Sequence, residues 1–305
     1  MKYIDIGNSG MKGSAIGFGC MRLAGLEAAT VDKMVQKSLE LGINFFDHAD
    51  LYAGGECEEL FGKVIKQSPA LRQKMLLQSK CGIRKGFFDF SKEYILQSVD
   101  GILKRLQTDY LDAFLLHRPD PLMELEEVAE ALNTLHVSGK VRCFGVSNEN
   151  PMQIELLSKY VKQPLLIDQV QFGVAHTGMI DFGLNTNMLN PPSVNHDGSL
   201  LEYARLKGIT LQAWGPLSYG YFEGSILDNP KYADLNAVLA RIGAENKASK
   251  AAVSIAWILR HPAKIQPMIG FMEINQIPDA AKAAGIELTR QQWYEIYLSA
   301  GNKLP

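Results

Sequence analysis

The sequence predicts an α/β fold, a (β/α)8 TIM barrel with an N-terminal β-hairpin and long loops at its C-terminal face. Strand and helix patterns alternate strictly over roughly 250 residues, as in a barrel or a doubly wound sheet. Several strand patterns are near-continuous apolar runs, such as 111–116, which is typical of parallel strands buried on both faces. Eight strand patterns and about eight helix patterns can be counted, and this number favours the closed barrel.

The element boundaries follow from hydrophobic periodicity and from glycines. Residues 3–6 and 14–18 predict short strands around a glycine-containing turn, and hence a hairpin at the entry to the first barrel strand. Gly42, Gly139 and Gly208 each follow a helix pattern, where a left-handed cap is favoured. The predicted barrel strands cover 15–19, 43–47, 75–80, 111–116, 141–147, 165–171, 209–214 and 265–270. The predicted helices cover 31–41, 56–66, 92–106, 124–138, 151–160, 199–207, 231–246, 249–260 and 274–284.

Two predicted loops are long, and both follow strands on the presumed active face of the barrel. They cover 172–197 and 215–230, and long loops in compact domains are usually functional. The tail from 289 to 305 is apolar enough to pack back on the barrel. No low-complexity segment or proline-rich linker interrupts the chain, so residues 1–305 are predicted to form a single domain.

Composition narrows the classes of function. The net charge of −2 and the pI near 6.3 give no basic surplus for binding nucleic acid or an acidic membrane. No apolar run approaches the roughly 18 residues of a membrane span, and the N-terminus lacks a signal-peptide pattern. The four cysteines are scattered and predict reduced thiols, which indicates a cytoplasmic protein. The histidines are dispersed, so no metal site is predicted.

Four polar residues are predicted to meet at the carboxyl ends of neighbouring strands. Asp47 closes the second strand pattern, and Tyr52 follows it in a loop. Lys80 closes the third strand and His117 the fourth. The carboxyl ends of barrel strands are where chemistry takes place in this fold. Each residue taken alone has a structural explanation, such as a helix cap, packing or a solvated charge, but the four together are far less expected by chance.

The four side chains suit the reduction of a carbonyl group. A tyrosine hydroxyl can give a proton to the carbonyl oxygen, and the ammonium of Lys80 would lower the tyrosine pKa from its usual value of about 10. Asp47 would balance the charge of Lys80, because a buried cation needs a partner. His117 can hydrogen-bond and orient the substrate oxygen.

Three segments resemble the signatures of the aldo-keto reductase superfamily. They are FDHADLYAGGECEELFG at 46–62, LLHRP at 115–119 and GKVRCFGVSN at 139–148. The tail and the 172–197 loop most resemble a bacterial branch of general oxidoreductases. The resemblance implies a (β/α)8 barrel, a nicotinamide cofactor, a monomer and a small-molecule carbonyl substrate. The family's catalytic tetrad corresponds to Asp47, Tyr52, Lys80 and His117, with Tyr52 as the general acid.

The resemblance also implies where the cofactor would lie. Ser147, Asn148 and Gln169 would hydrogen-bond the nicotinamide carboxamide, and Trp214 would stack on the ring. Alternatively, Asn148 or Asn150 could cap the helix that starts at Pro151, a role that could coexist with cofactor binding, and Trp214 could be a core residue at the barrel rim. No G-x-G-x-x-G follows the first strand, which removes the main support for a doubly wound sheet. The complete implied set is Met21, Asp47, Ser147, Asn148, Gln169, Trp214, Gly215, Pro216, Leu217, Gly270, Phe271, Met272 and Gln276.

The loop after the eighth strand departs from the family pattern. Many members carry Arg or Lys there to bind the adenosine 2′-phosphate of NADPH, whereas segment 269–277 has no cation and includes Glu273. A carboxylate would repel the phosphate. Backbone N–H groups from Gly270 onward could still contact phosphate, and Gln276 could reach the adenosine. We therefore expect NADPH or NADH, with a weakened preference for NADPH unless a cation arrives from another loop.

The leading hypothesis is an NAD(P)H-dependent carbonyl reductase. The alternative is a nucleotide-binding, redox-sensing or regulatory protein with little turnover, as in channel-associated members of the superfamily. An unrelated barrel hydrolase or isomerase would need a metal cluster or paired carboxylates, which the sequence lacks. The variable loops are rich in aromatic residues and suit an apolar aldehyde or ketone, or simply pack on themselves. These loop residues are Phe172, His176, Met179, Phe182, Tyr219, Tyr221 and Phe222.

Overall fold

A computed structural model describes residues 1–305 and contains a closed barrel of eight parallel strands surrounded by helices. Each strand pairs with its neighbours in sequence, and the first strand pairs with the eighth to close the barrel. The predicted (β/α)8 fold is confirmed. The barrel strands β1–β8 are Gly17–Gly19, Phe45–Asp47, Leu76–Cys81, Leu111–Leu116, Val141–Ser147, Leu165–Gln171, Thr210–Trp214 and Gln266–Gly270.

Eleven α-helices surround the barrel, and none of them is both long and apolar enough to cross a membrane. The predicted left-handed glycines after three helices are confirmed, with φ of 81° at Gly42, 74° at Gly139 and 72° at Gly208. The helices α1–α11 are Ala28–Glu40, Glu56–Gln67, Lys92–Leu106, Leu125–Val137, Pro151–Ser158, Gly178–Leu184, Leu200–Lys207, Ala233–Asn246, Lys250–Leu259, Gln276–Lys282 and Arg290–Ser299.

The N-terminal hairpin closes the amino-terminal end of the barrel. Its strands, Tyr3–Asp5 and Lys12–Ser14, are antiparallel, and buried Ile6 joins a small apolar cluster with side chains from inside the barrel. The single predicted strand 14–18 was wrong. The backbone turns after Ser14, whose hydroxyl donates to the carbonyl of Ile16 at 2.7 Å, and the first barrel strand starts only at Gly17.

The C-terminal tail packs on the outer helical layer. It forms α11, a helix that the sequence analysis did not predict, and Thr289 and Gln292 form a capping box at its start. Trp293 stacks on Trp257 of α9, with ring centroids 4.8 Å apart, and Tyr297 is buried. The expectation that the tail packs back on the barrel is therefore confirmed.

Both long loops lie at the carboxyl ends of the strands and contain short elements. The loop after β6 includes α6 and a single helical turn at Pro191–Ser193. The loop after β7 contains a small hairpin in which Ser218–Tyr219 pairs with Gly224–Ser225. These loops form walls on the same face of the barrel as the predicted tetrad.

Candidate active site

The structure brings the four predicted tetrad side chains together at the carboxyl ends of β2, β3 and β4. The Nζ of Lys80 donates to Asp47 Oδ1 at 2.5 Å and to the carbonyl of His48 at 2.8 Å. The same Nζ lies 5.4 Å from the centre of the Tyr52 ring. The rings of Tyr52 and His117 meet edge to face, with centroids 6.2 Å apart. The arrangement joins a buried ion pair to a phenol and an imidazole.

The ion pair is almost entirely buried. Lys80 is 0% exposed and Asp47 3% exposed, so each charge depends on the other for stabilisation. Gln78 adds a second hydrogen bond to Asp47, with Nε2 to Oδ1 at 2.6 Å. The position of the Asp47 carboxylate is therefore fixed by both Lys80 and Gln78.

The acid–base properties of Tyr52 differ from the expectation that Lys80 would lower its pKa. Burial of the hydroxyl, followed by the negative charge of Asp47, raises the pKa of Tyr52 well above its ordinary value. The charge of Lys80 is already balanced by Asp47, and no hydrogen bond joins Lys80 to the phenol. Tyr52 therefore keeps its proton at neutral pH, as a proton donor must.

His117 is neutral at physiological pH. Burial, followed by the positive charges of Lys80 and Arg118, holds the pKa of His117 well below its ordinary value. Its Nδ1 has no hydrogen-bond partner in the protein. A neutral imidazole beside the phenol can hydrogen-bond a ligand oxygen without adding a charge to the site.

A chain of buried amides crosses the barrel behind the tetrad. Gln78 donates to Gln212 Oε1 at 2.8 Å, and Gln169 donates to the same oxygen at 3.0 Å. Gln212 in turn donates to Gln266 at 2.9 Å. Since Gln78 also holds Asp47, this chain links the tetrad to Gln169, one of the predicted cofactor contacts.

A cleft of about 450 Å³ runs from the tetrad to the ends of β1, β7 and β8. Two tetrad members, Asp47 and Tyr52, lie at one end, and an exposed cation, Arg22, lies on its wall. Gly215 and Gly270 keep part of the wall free of side chains. This lining fits an elongated dinucleotide with a ring at the tetrad and phosphates farther along. The predicted cofactor residues that line the cleft are Met21, Asp47, Trp214, Gly215, Pro216, Leu217, Gly270, Met272 and Gln276.

Three other predicted cofactor residues form a hydrogen-bonded group behind Trp214. Asn148 donates to Ser147 Oγ at 2.7 Å, and Ser147 Oγ donates to the Gln169 carbonyl at 2.7 Å. Trp214 Nε1 donates to Asn148 Oδ1 at 3.0 Å. Of the two residues considered for the cap of α5, Asn150 caps the helix, so this part of the alternative is confirmed, and Asn148 is left free for the other role.

The loop after β8 differs from the prediction at two residues. The ring of Phe271 is 1% exposed and packs edge to face on Phe18, with centroids 5.0 Å apart. It therefore points into the core, and only its backbone could contact a cofactor. The Oε1 of Gln276 accepts the N–H groups of Met272 and Glu273, at 2.9 and 3.3 Å, so these groups are already bonded within the protein.

Arg22 is the cation that the sequence analysis did not assign. A Cβ placed on Gly270 would lie 3.4 Å from the Cδ of Arg22, and Arg22 Nη1 lies 3.9 Å from Met272 Sδ. Arg22 follows β1, and β1 pairs with β8 where the barrel closes. Closure of the barrel thus brings an arginine to the loop that lacks one.

Trp214 already has an aromatic neighbour in the cleft. Phe222 stacks on it with ring centroids 5.2 Å apart and an interplanar angle of 29°. Any flat ring that stacks on this face of Trp214 would have to displace Phe222.

Two buried carboxyl groups lie close to the hydrogen-bonded group formed by Ser147, Asn148 and Gln169. Asp168 is 0% exposed and no side chain hydrogen-bonds its carboxyl oxygens, which face the backbone N–H groups of Asn148 and Glu149. Glu149 is 3% exposed and its Oε1 is unpaired. Burial raises the pKa of Glu149 to about 7. Burial, followed by the charge of Glu149, also raises the pKa of Asp168 well above its ordinary value.

The pKa of Glu149 leads to a prediction about stability. Between its ordinary value of 4.5 and about 7, the folded protein keeps a proton that the unfolded chain loses. Stability should therefore fall as pH rises through this window and level off above it. Glu149→Gln should remove that loss, on the order of 1 to 3 kcal/mol. Thermal unfolding at several pH values checks this. If the stability of Glu149→Gln fell with rising pH in parallel with that of the wild type, the prediction would be wrong.

Comparison with known proteins identifies the family. The chain matches the Aldo/keto reductase family over residues 15–297. It is 34% identical to the oxidoreductase YdhF of Escherichia coli (strain K12), covering 98% of both proteins. It is also 34% identical to a 6-dehydroglucose reductase of Agrobacterium fabrum, covering 95% of both. The crystal structure of the thermostable aldo-keto reductase Tm1743 matches with a TM-score of 0.79 at 25% identity, covering 98% of this chain and 100% of that one.

The chain therefore belongs to the aldo/keto reductase family. It is an NAD(P)-dependent oxidoreductase, and the predicted resemblance to bacterial members is confirmed.

Proposed function

We propose that this protein reduces an aldehyde or ketone to an alcohol, with Tyr52 as the proton donor. The observation that supports this most directly is the position of the Tyr52 ring at the cleft, with the Nζ of the buried Asp47–Lys80 pair 5.4 Å from the ring centre. Membership in the aldo/keto reductase family supports carbonyl reduction in general. The direct test is to mix protein, reduced nicotinamide and a panel of aldehydes and to follow loss of the nicotinamide absorbance.

Each tetrad residue has a distinct role in this proposal. A bound reduced nicotinamide supplies a hydride to the carbonyl carbon, and Tyr52 gives its proton to the oxygen. Neutral His117 hydrogen-bonds that oxygen and sets its direction towards the phenol. Lys80 stabilises the negative charge that Tyr52 acquires as the proton leaves, and Asp47 keeps Lys80 in place.

The cofactor lies in the cleft between the tetrad and Arg22 in this proposal. Trp214 borders the nicotinamide end, with Ser147, Asn148 and Gln169 behind it as the carboxamide group. The segment Gly215-Pro216-Leu217 and Gly270 border the phosphates. Arg22 offsets the missing cation after β8, so that NADPH remains usable despite Glu273.

Two variants test the placement of the 2′-phosphate. Arg22→Ala should weaken NADPH binding by about tenfold and leave NADH binding nearly unchanged, because only NADPH carries that phosphate. Glu273→Arg should strengthen NADPH binding alone. Tryptophan-fluorescence titration measures both, with Lys33→Ala on the exposed face of α1 as control. An equal loss for both cofactors in Arg22→Ala would place Arg22 at the shared pyrophosphate instead.

The substrate pocket is less apolar than the loop composition suggested. Phe172 is buried and stacks on Trp257 at 5.6 Å, so its ring is not available to a ligand, whereas Met179 lines a cavity beside Trp214. A relative at 34% identity is named 6-dehydroglucose reductase, which makes an oxidised sugar one candidate substrate. We further infer that the chain forms a single domain and acts as a cytoplasmic monomer.

A further inference from the structure

A recess in the outer helical layer lies apart from the cofactor cleft. It has a volume of about 420 Å³, and residues of α6, α7 and α11 line it together with segment 260–262, which follows α9. It shares no lining residue with the cofactor cleft or with the cavity beside Trp214. This outer recess is therefore a separate cavity. Its ionised lining residues are Glu202, Arg205, Arg260 and Arg290.

The arginines of the outer recess have no carboxylate partner. The chain has ten arginines, and five of them form ion pairs within the protein. Of the five that form none, Arg22 lines the cofactor cleft and Arg118 lines the cavity beside Trp214. The remaining three are Arg205, Arg260 and Arg290 of the outer recess. Every arginine without an ion pair thus lines a cavity.

Local structure does not account for all three cations. Arg205 and Arg260 lie at the C-terminal ends of α7 and α9, where the helix dipole favours a positive charge. The Nε of Arg260 also donates to the carbonyl of Leu288 at 3.0 Å. Arg290 is the first residue of α11, where the dipole disfavours a cation. The charge of Arg290 is therefore not explained by the stability of its own helix.

The positive charge of the outer recess is only partly balanced. Glu202 is the one acid among its lining residues, against three guanidinium groups, and it forms no ion pair with them. Burial, followed by the positive charge of Arg205, lowers the pKa of His261, which also lines the recess. A cavity with a surplus of positive charge favours an anion over a neutral or cationic ligand.

The rest of the lining is mostly apolar and aromatic. Ile180 and Leu184 of α6 lie on the wall, as do Trp293 and Tyr294 of α11. Trp293 already stacks on Trp257, whereas Tyr294 stacks on no ring in the protein and meets Trp293 only at its edge. The outer recess therefore combines an anion-binding part with an apolar part that includes an available ring.

We propose that the outer recess binds a phosphate monoester whose organic part contains an aromatic ring. Arg205, Arg260 and Arg290 bind the phosphate oxygens, because the planar guanidinium group matches the geometry of phosphate. Tyr294 and the apolar residues of α6 cover the ring. The inference does not depend on the reductase chemistry, since no tetrad or cleft residue lines this recess.

Calorimetric titration with phenyl phosphate at physiological ionic strength tests the inference. This probe has one phosphate group and one ring, and it should bind more tightly than inorganic phosphate or phenol. Saturating NADPH should leave its affinity unchanged. Competition with NADPH would place the probe in the cofactor cleft and overturn the inference. Equal affinity for phenyl phosphate and inorganic phosphate, or no binding of phenyl phosphate at millimolar concentration, would overturn it as well.

Two variants with opposite expected effects locate the probe. Arg290→Gln should weaken binding of phenyl phosphate by about tenfold, the effect of losing a charge-assisted hydrogen bond. Glu202→Gln should strengthen binding, because it removes the one acid of the recess. Arg241→Gln is the matched control. It removes the same charge from the neighbouring α8, but Arg241 is paired with Glu245 and Glu295, and the phenyl phosphate affinity should remain close to that of the wild type.

Thermal unfolding of the same variants separates binding from a structural role. Because Arg290 has no ion pair and opposes the dipole of α11, Arg290→Gln should melt at or above the wild-type temperature. A clearly lower melting temperature would give Arg290 a structural role and overturn the inference. So would phenyl phosphate binding that neither Arg290→Gln nor Glu202→Gln changes, since the probe would then bind elsewhere.

Discussion

Replacing Tyr52 with Phe should lower kcat by about a hundredfold or more while leaving cofactor affinity close to that of the wild type. The range follows from the usual contribution of a positioned general acid. Phe keeps the ring that packs beside His117 and removes only the hydroxyl. The phenol holds its proton because burial and Asp47 raise its pKa, and the variant has no hydroxyl to donate one.

Steady-state kinetics and cofactor titration of the same preparation provide the measurement. Tyr203→Phe is a control, since it likewise removes a tyrosine hydroxyl, one that lies on α7 and donates to Glu155 at 2.8 Å. Unchanged turnover in Tyr52→Phe would exclude Tyr52 as the acid. Tight cofactor binding by a wild-type protein that reduces no carbonyl compound would instead favour the redox-sensing alternative.

The tetrad could be predicted because its determinants are local in sequence. Asp47 and Lys80 lie at the ends of their strands and His117 directly follows its own, and β4, β5 and β6 were predicted with the observed boundaries. Parallel strands in one barrel bring their carboxyl ends to the same face. Knowing where each strand ends was therefore sufficient to predict that these side chains meet. The pKa of Tyr52 could not be predicted in this way. It depends on how deeply the hydroxyl is buried, which is a property of the packed protein.

Arg22 shows a different limit of the sequence analysis. Its place beside Gly270 depends on the pairing of β1 with β8, which are more than two hundred residues apart in the chain. The barrel amides were missed for a related reason. Gln78, Gln212 and Gln266 lie in strands that were expected to be apolar. Their burial is acceptable because Gln212 is hydrogen-bonded to both Gln78 and Gln266.

The chain of buried amides connects the interior of the barrel to the tetrad. If apolar side chains filled the barrel interior, the Asp47 carboxylate would have only one side-chain hydrogen-bond donor, Lys80. Gln78 supplies a second and is itself held by Gln212, which also binds Gln169. The tetrad and the predicted carboxamide contact thus share one hydrogen-bonded support, so their relative positions are fixed before any ligand binds.

The second large effect is expected for the buried ion pair itself. Asp47→Leu should destabilise the protein by about 3 to 5 kcal/mol, because it leaves the Lys80 ammonium buried without a counter-charge. Gln78 also loses an acceptor, which adds to the effect. Urea unfolding measures the change. Asp5→Leu is the control, since the Lys12–Asp5 pair has side chains 65% and 33% exposed, and its loss should matter far less.

The double variant Asp47→Leu/Lys80→Met separates stability from chemistry. With both charges removed, two apolar side chains of similar volume can pack together, and much of the lost stability should return. Activity should not return, because the charge beside Tyr52 is gone. If the double variant stayed as unstable as Asp47→Leu, the pair would be needed for folding. If stability recovered without turnover, apolar residues at 47 and 80 would be sufficient for folding. The buried ion pair would then be present for its effect on Tyr52.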